Sequence, residues 1–131
     1  LPDVSRVFVE PGRYVVGDAG VFVTRVIGKA HRADGTWVFV DVGVFNGLAE
    51  AIGGIRYPVV SIRAGDRIHA ILAGPSCDGF DGIDKECDLV DPAVWDIVLL
   101  RTAGAYTTVY AGTFNGFALP TVRLLEETWP T

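Results

Sequence analysis

Four consecutive residues near the start of the chain combine groups that could bind an anion. They are Glu10, Pro11, Gly12 and Arg13, and they follow a short apolar run. A glycine lets an anion approach the backbone closely, and a guanidinium offers a planar fork for phosphate oxygens. The Glu10 carboxylate could stabilise a protonated ring nitrogen. A strand-ending turn with a surface ion pair explains the same residues, and the four alone favour that simpler interpretation.

The segment 74–84, with the sequence GPSCDGFDGID, carries a second set of reactive groups. Its three glycines, one proline and three aspartates predict a long polar loop, and such loops in compact domains are usually functional. Cys77 could donate a proton or act as a nucleophile, depending on its pKa, and Asp78 could bind an amine. The alternatives are a buried apolar cysteine and aspartates that cap turns or bind calcium, although the calcium-loop pattern is not reproduced.

A tyrosine in a neighbourhood of small residues is a third candidate. Tyr106, within the segment GAYT, could donate a hydrogen bond to a phosphate, while a tyrosine in the core or on the sheet surface is the simpler interpretation. The two histidines and two cysteines do not pair at zinc-ligand spacings, so we predict no metal site. The sequence contains no nucleophile elbow, phosphate-binding P-loop or dinucleotide motif.

The elements that position these groups are mostly strands. Short runs rich in Val, Ile, Phe, Tyr and Thr alternate with Gly, Pro and Asp, a pattern typical of strands and turns. We expect strands at 6–9, 21–30, 37–42, 57–63, 67–73, 95–101 and 121–126. Asp34-Gly35 predicts a hairpin, and 14–20 and 44–52 could each hold one helical turn. The pattern predicts a mainly β domain with antiparallel hairpins.

Length and composition limit the class of protein. The 131 residues suffice for one domain. A net charge of −5 argues against a nucleic-acid partner. A mean hydropathy of +0.35 indicates either a very full core or apolar surface covered by a partner. Without a membrane-length apolar segment or a signal peptide in the sequence, and with only two cysteines, we expect a cytoplasmic protein with free thiols and no membrane association.

Four segments, in this order, resemble the C-terminal portion of the pyridoxal-phosphate decarboxylases that act on ornithine, lysine or diaminopimelate, enzymes of the alanine-racemase fold type. They are VFVEPGRYVVGDAGVFVTRVIGK, WVFVDVGVFNGLAEA, LAGPSCDGFDGID and TAGAYTTVYAGTFNGF. The resemblance implies an antiparallel β-barrel or sandwich with one or two short helices. It implies a single β-domain over 1–131, in which 1–13 resembles the last strand of a (β/α)8 barrel and its cofactor loop.

The resemblance also implies roles for residues that contact the cofactor, pyridoxal phosphate. Glu10 matches the acid that pairs with the pyridine nitrogen and keeps it protonated, so that the ring accepts electrons. Gly12 and Arg13 match the phosphate-binding end of the same motif. Tyr106 matches a tyrosine that also reaches the phosphate.

Two further residues match positions that act on the substrate. Cys77 matches the cysteine implicated in returning a proton after CO2 leaves, and Asp78 matches the acid that holds the distal amine. Family members that use diaminopimelate tend to have Glu after this cysteine, so Asp78 favours ornithine or lysine. The family's loop reaches into a neighbouring subunit, which implies a head-to-tail dimer with shared sites.

The lysine that bonds to the cofactor lies, in this family, on an N-terminal (β/α)8 barrel. Neither Lys29 nor Lys85 is at a matching motif. We therefore expect a decarboxylase chain that works with a barrel carried on another chain, as a dimer of such pairs. The alternative is a non-catalytic regulatory module that pairs with a full-length decarboxylase. Trp95-Asp96 stands where the family usually has Gly-Asp, which predicts an altered turn.

Overall fold

Six strands form one mixed sheet in the computed structural model, which describes residues 5–125. The strands are β1 (Phe22–Arg32), β2 (Gly35–Val40), β3 (Val59–Ser61), β4 (Arg67–Ala73), β5 (Gly82–Val90) and β6 (Ile97–Leu100). One short helix, α1 (Gly12–Val16), precedes them. Single 3-10 turns lie at Gly17–Ala19, Ala49–Gly53, Thr108–Tyr110 and Phe114–Gly116.

The sheet nearly closes into a barrel. Its strand order is β3-β6-β1-β2-β4-β5, and the two end strands, β3 and β5, pack against each other. The mainly β, barrel-like fold with one short helix is thus as predicted. Four of the pairings are antiparallel, whereas β2 and β4 run parallel. A parallel pair needs a long crossover connection, and residues 41–66 supply it.

The β1–β2 hairpin confirms the turn predicted at Asp34-Gly35. Arg32 pairs with Gly35, and Gly35 has φ +130°, which a side chain rarely adopts. The Trp37 indole N–H donates to the Asp34 carboxylate at 2.9 Å, and the Arg32 guanidinium lies 4.5 Å from the Trp37 ring centroid. These contacts fix the tip of the hairpin.

The core lies inside the curved sheet and follows the period of two expected of strands. In β1, Thr24 and Val26 point inward while Val23 and Arg25 are exposed. The fully buried side chains include Val26, Val38, Val40, Leu48, Leu72, Leu89, Val98 and Leu100. Cys87 belongs to this core, and burial raises the pKa of its thiol to about 12. Cys87 is therefore a packing residue and an inert thiol.

Two strand predictions were wrong, and one strand was not predicted. Residues 6–9 form no strand, and the apolar side chains of Val7, Phe8 and Val9 are exposed. Apolar residues alone do not make a strand where no neighbouring backbone supplies hydrogen bonds. Residues 121–125 also form no strand, and Glu126 lies outside the described residues. Strand β5 was not predicted because charged residues of low strand propensity make up nearly half of it. The predicted 74–84 loop therefore ends earlier, where β5 begins at Gly82.

The turn before β6 contains a residue in an unfavourable conformation. Trp95 has φ +79°, a value that is costly for a bulky side chain, and its side chain is 67% exposed. Its backbone N–H donates to the Val26 carbonyl at 2.8 Å, and the Asp96 carbonyl accepts from the Val26 N–H at 2.9 Å. These bonds to β1 hold the strained turn in place. The altered turn expected here is thus a tryptophan in a backbone conformation that suits glycine.

We expect Trp95→Gly to raise the free energy of unfolding by about 1 kcal/mol, because glycine adopts positive φ without a Cβ clash. The corresponding rise in Tm is roughly 3–5 °C for a domain of this size. Thermal unfolding of the purified protein measures it. Trp95→Ala is the matched control, since it removes the ring and keeps the Cβ. Equal shifts in the two variants would show that the indole, not the backbone conformation, sets the effect.

Candidate functional site

The structure brings Gly12, Arg13 and Tyr106 together. A Cβ on Gly12 would lie 2.9 Å from the Tyr106 hydroxyl oxygen, so a larger residue here would push the phenol aside. The Arg13 guanidinium carbon is 5.7 Å from the centroid of the Tyr106 ring. The Gly12 N–H already donates to the Glu10 carbonyl at 3.0 Å. Glycine at position 12 therefore gives room to the phenol, and Arg13 is the cationic group of this cluster.

Tyr106 reaches this position through a strained backbone. Its φ is +56°, and that of Thr102 is +58°. The segment between them is pressed against the chain before β1: the Gly104 N–H donates to the Gly17 carbonyl at 2.8 Å. A Cβ on Gly104 would lie 1.9 Å from the Val16 carbonyl oxygen. Backbone packing therefore imposes the conformation that aims Tyr106 at α1, and such imposed strain is concentrated at functional sites.

Two residues that sequence reasoning did not assign complete the surroundings of Arg13. Glu50, on the Ala49–Gly53 turn, forms an ion pair with Arg13, and the two atoms in contact are sheltered from water. Tyr57 is 3% exposed, and its hydroxyl has no hydrogen-bond partner within residues 5–125. Burial raises the pKa of Tyr57 more than the nearby Arg13 lowers it, so the phenol stays neutral. The neutral hydroxyl is a donor available to a ligand.

A phosphate group fits this cluster, which we call the anion cluster (Arg13, Glu50, Tyr57 and Tyr106). A guanidinium is the preferred partner of a phosphate. A buried hydroxyl without a hydrogen-bond partner destabilises the folded protein until an acceptor binds it. Glu50 already forms an ion pair with Arg13, so a phosphate would have to compete with the Glu50 carboxylate. Glu10, the predicted partner of a ring nitrogen, is exposed on the extended segment just before α1.

The predicted thiol and amine-binding residues lie on the turn between β4 and β5. Cys77 is exposed and unpaired. The Asp78 carboxylate accepts the Phe80 N–H at 2.8 Å, so it caps a turn, as the alternative interpretation expected. One carboxylate oxygen can cap a turn while the other remains able to bind a cation. Cys77 and Asp78 therefore sit next to each other on a defined loop.

A third aspartate, which sequence reasoning treated only as part of a cluster, holds this loop in place. Asp81 is 3% exposed. Its carboxylate accepts the Val44 N–H at 2.9 Å and the Ser76 N–H at 2.8 Å. The space around it exists because Gly43 and Gly74 have no side chains: a Cβ on either would lie 2.0 or 2.3 Å from an Asp81 oxygen. Asp81 thus joins the Cys77 loop to residues 43–46.

The anion cluster and the Cys77 loop are attached to the same segment, residues 43–50, at different points. Asp81 bonds to its start and Arg13 pairs with Glu50 at its end. None of the hydrogen bonds or ion pairs of residues 5–125 joins the two groups directly. In that same part of the chain, no three His, Cys, Asp or Glu side chains could hold a metal ion. Within residues 5–125, none of the helices has the length and hydropathy of a membrane span.

The fold and the site define a small barrel-like β domain with an anion cluster and a separate thiol loop. A sequence model of a known family, the pyridoxal-dependent decarboxylase C-terminal sheet domain, matches residues 13–104. The chain belongs to this family.

Individual relatives agree with the family assignment. The chain is 34% identical to a lysine/ornithine decarboxylase of Selenomonas ruminantium over 97% of this chain and 32% of that protein. It is similar to the structure of a Vibrio vulnificus lysine/ornithine decarboxylase complexed with cadaverine, with a TM-score of 0.80 and 32% identity over 88% of this chain and 32% of that one. The structure of SrLDC in complex with PLP and cadaverine has a TM-score of 0.75 and 34% identity, over 82% and 29%. The chain spans about a third of the length of these proteins.

We expect Asp81→Asn to lower the free energy of unfolding by about 2 kcal/mol, because the amide can accept only one of the two backbone hydrogen bonds and a charged acceptor is lost. Urea unfolding measures the loss. Hydrogen exchange at Val44 and Ser76 should accelerate more than elsewhere. Asp66→Asn, which makes the same charge change in an exposed turn, is the matched control. Unchanged exchange at these two amides would contradict the role given to Asp81.

Proposed function

We propose that this chain supplies the β-domain half of a pyridoxal-phosphate decarboxylase active site that acts on lysine or ornithine. The lysine that bonds to the cofactor would come from a (β/α)8 barrel on another chain. The observation that carries the proposal is the clustering of Arg13 and Tyr106, at positions that match the family's phosphate contacts, beside the buried Tyr57 hydroxyl.

The cofactor contacts follow from the chemistry of the residues present. Arg13 would bind the phosphate through charge-assisted hydrogen bonds, with Tyr106 and Tyr57 as neutral donors. Glu10 would hold the proton on the pyridine nitrogen. The bound cofactor supplies an electron sink for the bond that breaks when CO2 leaves. The exposure of Glu10 in this chain is consistent with a cofactor held between two domains.

The substrate contacts would come from the Cys77 loop. Asp78 would bind the distal ammonium of the diamino acid with the oxygen that is not used by Phe80. Cys77 would help return a proton to the α carbon after CO2 has left. Two solved relatives hold cadaverine, the amine formed when lysine loses CO2, which favours a simple diamino acid. Because Arg13 and Cys77 belong to separate groups here, the proposal includes a dimer in which each site draws on two copies.

The exposed apolar surface supports the requirement for a partner chain. Large apolar side chains near both ends of the described chain are open to solvent: Val7, Phe8, Val9, Tyr14, Val122, Leu124 and Leu125. Isolated exposed apolar residues are ordinary, but a dense set marks an interaction surface. A barrel domain would cover this surface. We place the complex in the cytoplasm, where the exposed Cys77 thiol stays reduced.

The second candidate is a non-catalytic module that pairs with a full-length decarboxylase. It is favoured by the placement of the two lysines, since Lys29 forms an ion pair with Asp91 and Lys85 is an exposed residue of β5. Neither is part of the anion cluster.

Native mass spectrometry of the protein purified from its source, with an absorbance scan, separates the two candidates. We expect a complex of this chain with a larger chain, carrying bound pyridoxal phosphate and releasing CO2 and cadaverine or putrescine from lysine or ornithine. A complex with an enzyme whose activity survives removal of this chain would support the regulatory module. A cofactor-free assembly of this chain alone would overturn both.

We expect Arg13→Ala to weaken the affinity for pyridoxal phosphate by about 10- to 100-fold, because a charged hydrogen-bond donor to the phosphate is lost. Equilibrium titration followed by absorbance measures the dissociation constant. Arg101→Ala, which removes an exposed guanidinium after β6, is the matched control. An unchanged constant in Arg13→Ala would remove Arg13 from the phosphate site.

A further inference from the structure

The Arg13–Glu50 ion pair places an anion of the chain itself where an external anion would bind. The side chains are only 25% and 23% exposed, and the atoms in contact, Nη2 of Arg13 and Oε2 of Glu50, are sheltered from water. A phosphate that approached Nη2 of Arg13 would compete with the Glu50 carboxylate for that nitrogen. A guanidinium carries five N–H donors, so the competition concerns the Nη2 edge of Arg13 and not the whole group.

The backbone around Glu50 keeps its carboxylate within reach of Arg13. Leu48, just before the turn, is fully buried. The Glu50 carbonyl accepts the Ile55 N–H at 3.2 Å, and the turn ends at Gly54, which has φ +90°. The neighbouring Ile52 is 58% exposed, so the turn lies at the surface. The backbone thus keeps the Glu50 carboxylate near Arg13, while a glutamate side chain can in principle take other rotamers.

We propose that Glu50 is an internal competitor for the phosphate site, and that a phosphate group binds Arg13 by displacing the Glu50 carboxylate. The inference rests on the proposed function in that Arg13 is the phosphate ligand. In the absence of ligand, Glu50 spares the protein a partly buried, unpaired guanidinium, which is destabilising. In the presence of ligand, the same residue lowers affinity, because the ion pair must break first. One residue therefore acts in opposite directions on stability and on binding.

The opposite effects of Glu50 on stability and on phosphate affinity distinguish this role from a purely structural one. We expect Glu50→Gln to lower the Tm of the ligand-free protein and to bind inorganic phosphate about tenfold more tightly, within the usual range of coupling between sites. Calorimetric titration of the purified protein with inorganic phosphate, at constant ionic strength, measures the affinity, and thermal unfolding with and without phosphate measures the stability. Glu86→Gln, the same change at an exposed position of β5, should alter neither.

The possible outcomes separate the inference from the proposal beneath it. If Arg13→Ala loses phosphate binding while Glu50→Gln binds no more tightly than the wild type, the phosphate site stands and the competition is wrong. If Arg13→Ala binds phosphate as the wild type does, the site itself is wrong. Glu50→Asp, which keeps the charge and shortens the reach, should give a smaller gain in affinity. It provides the test if Glu50→Gln does not fold.

Discussion

The placement of strand β1 between two different neighbours is the constraint on which the rest of the structure depends. Its first residues, Phe22–Arg25, pair with β6, and the remainder, from Val26, pairs with β2. Where the partner changes, the Asp41 carboxylate accepts the Arg25 N–H at 2.9 Å and the Thr24 hydroxyl at 2.6 Å. The anion cluster follows from this arrangement, because α1 enters β1, the Tyr106 segment leaves β6, and Glu50 and Tyr57 lie on the connection that leaves β2. A break in the β1 pairings would separate all four side chains at once.

The sequence was most informative where structure is decided locally. The Asp34-Gly35 hairpin, strand β4 and the helical turn predicted within 14–20 all follow from residues that are adjacent in the chain. The sequence was less informative about which distant strands pair with each other. Nothing local distinguishes a parallel β2–β4 pair from an antiparallel one, and the charged residues of β5 hid a strand that only its neighbour β4 defines. The apolar run 6–9 shows the opposite error, since it has strand composition without a strand beside it.

The residues of the candidate site also divide into those that lie close in sequence and those that only the fold brings together. Gly12 and Arg13 are adjacent in sequence, and Tyr106, a separate candidate that the family resemblance linked to the same phosphate, lies beside them in the structure. Glu50 and Tyr57 reach Arg13 only through the fold, and no spacing rule connects them to it. Asp81 was visible as one of several aspartates, but its role depends on Gly43 and Gly74, whose missing side chains leave the space for its carboxylate. Buried polar residues with distant partners are therefore what sequence reasoning misses here.

Two strained residues show how backbone conformation bears on function. Trp95 and Tyr106 both have positive φ, and strain alone does not distinguish them. The Trp95 turn is exposed, and it bonds to β1 and, through the Asp96 carboxylate, to Arg63. The Tyr106 segment is fixed by the backbone of residues 16–20, and its ring lies over a cationic group that already has a counter-ion. Strain becomes informative where it occurs beside a charged group and a buried hydroxyl that lacks a partner in the described chain, because a single bound anion would interact with both of those groups.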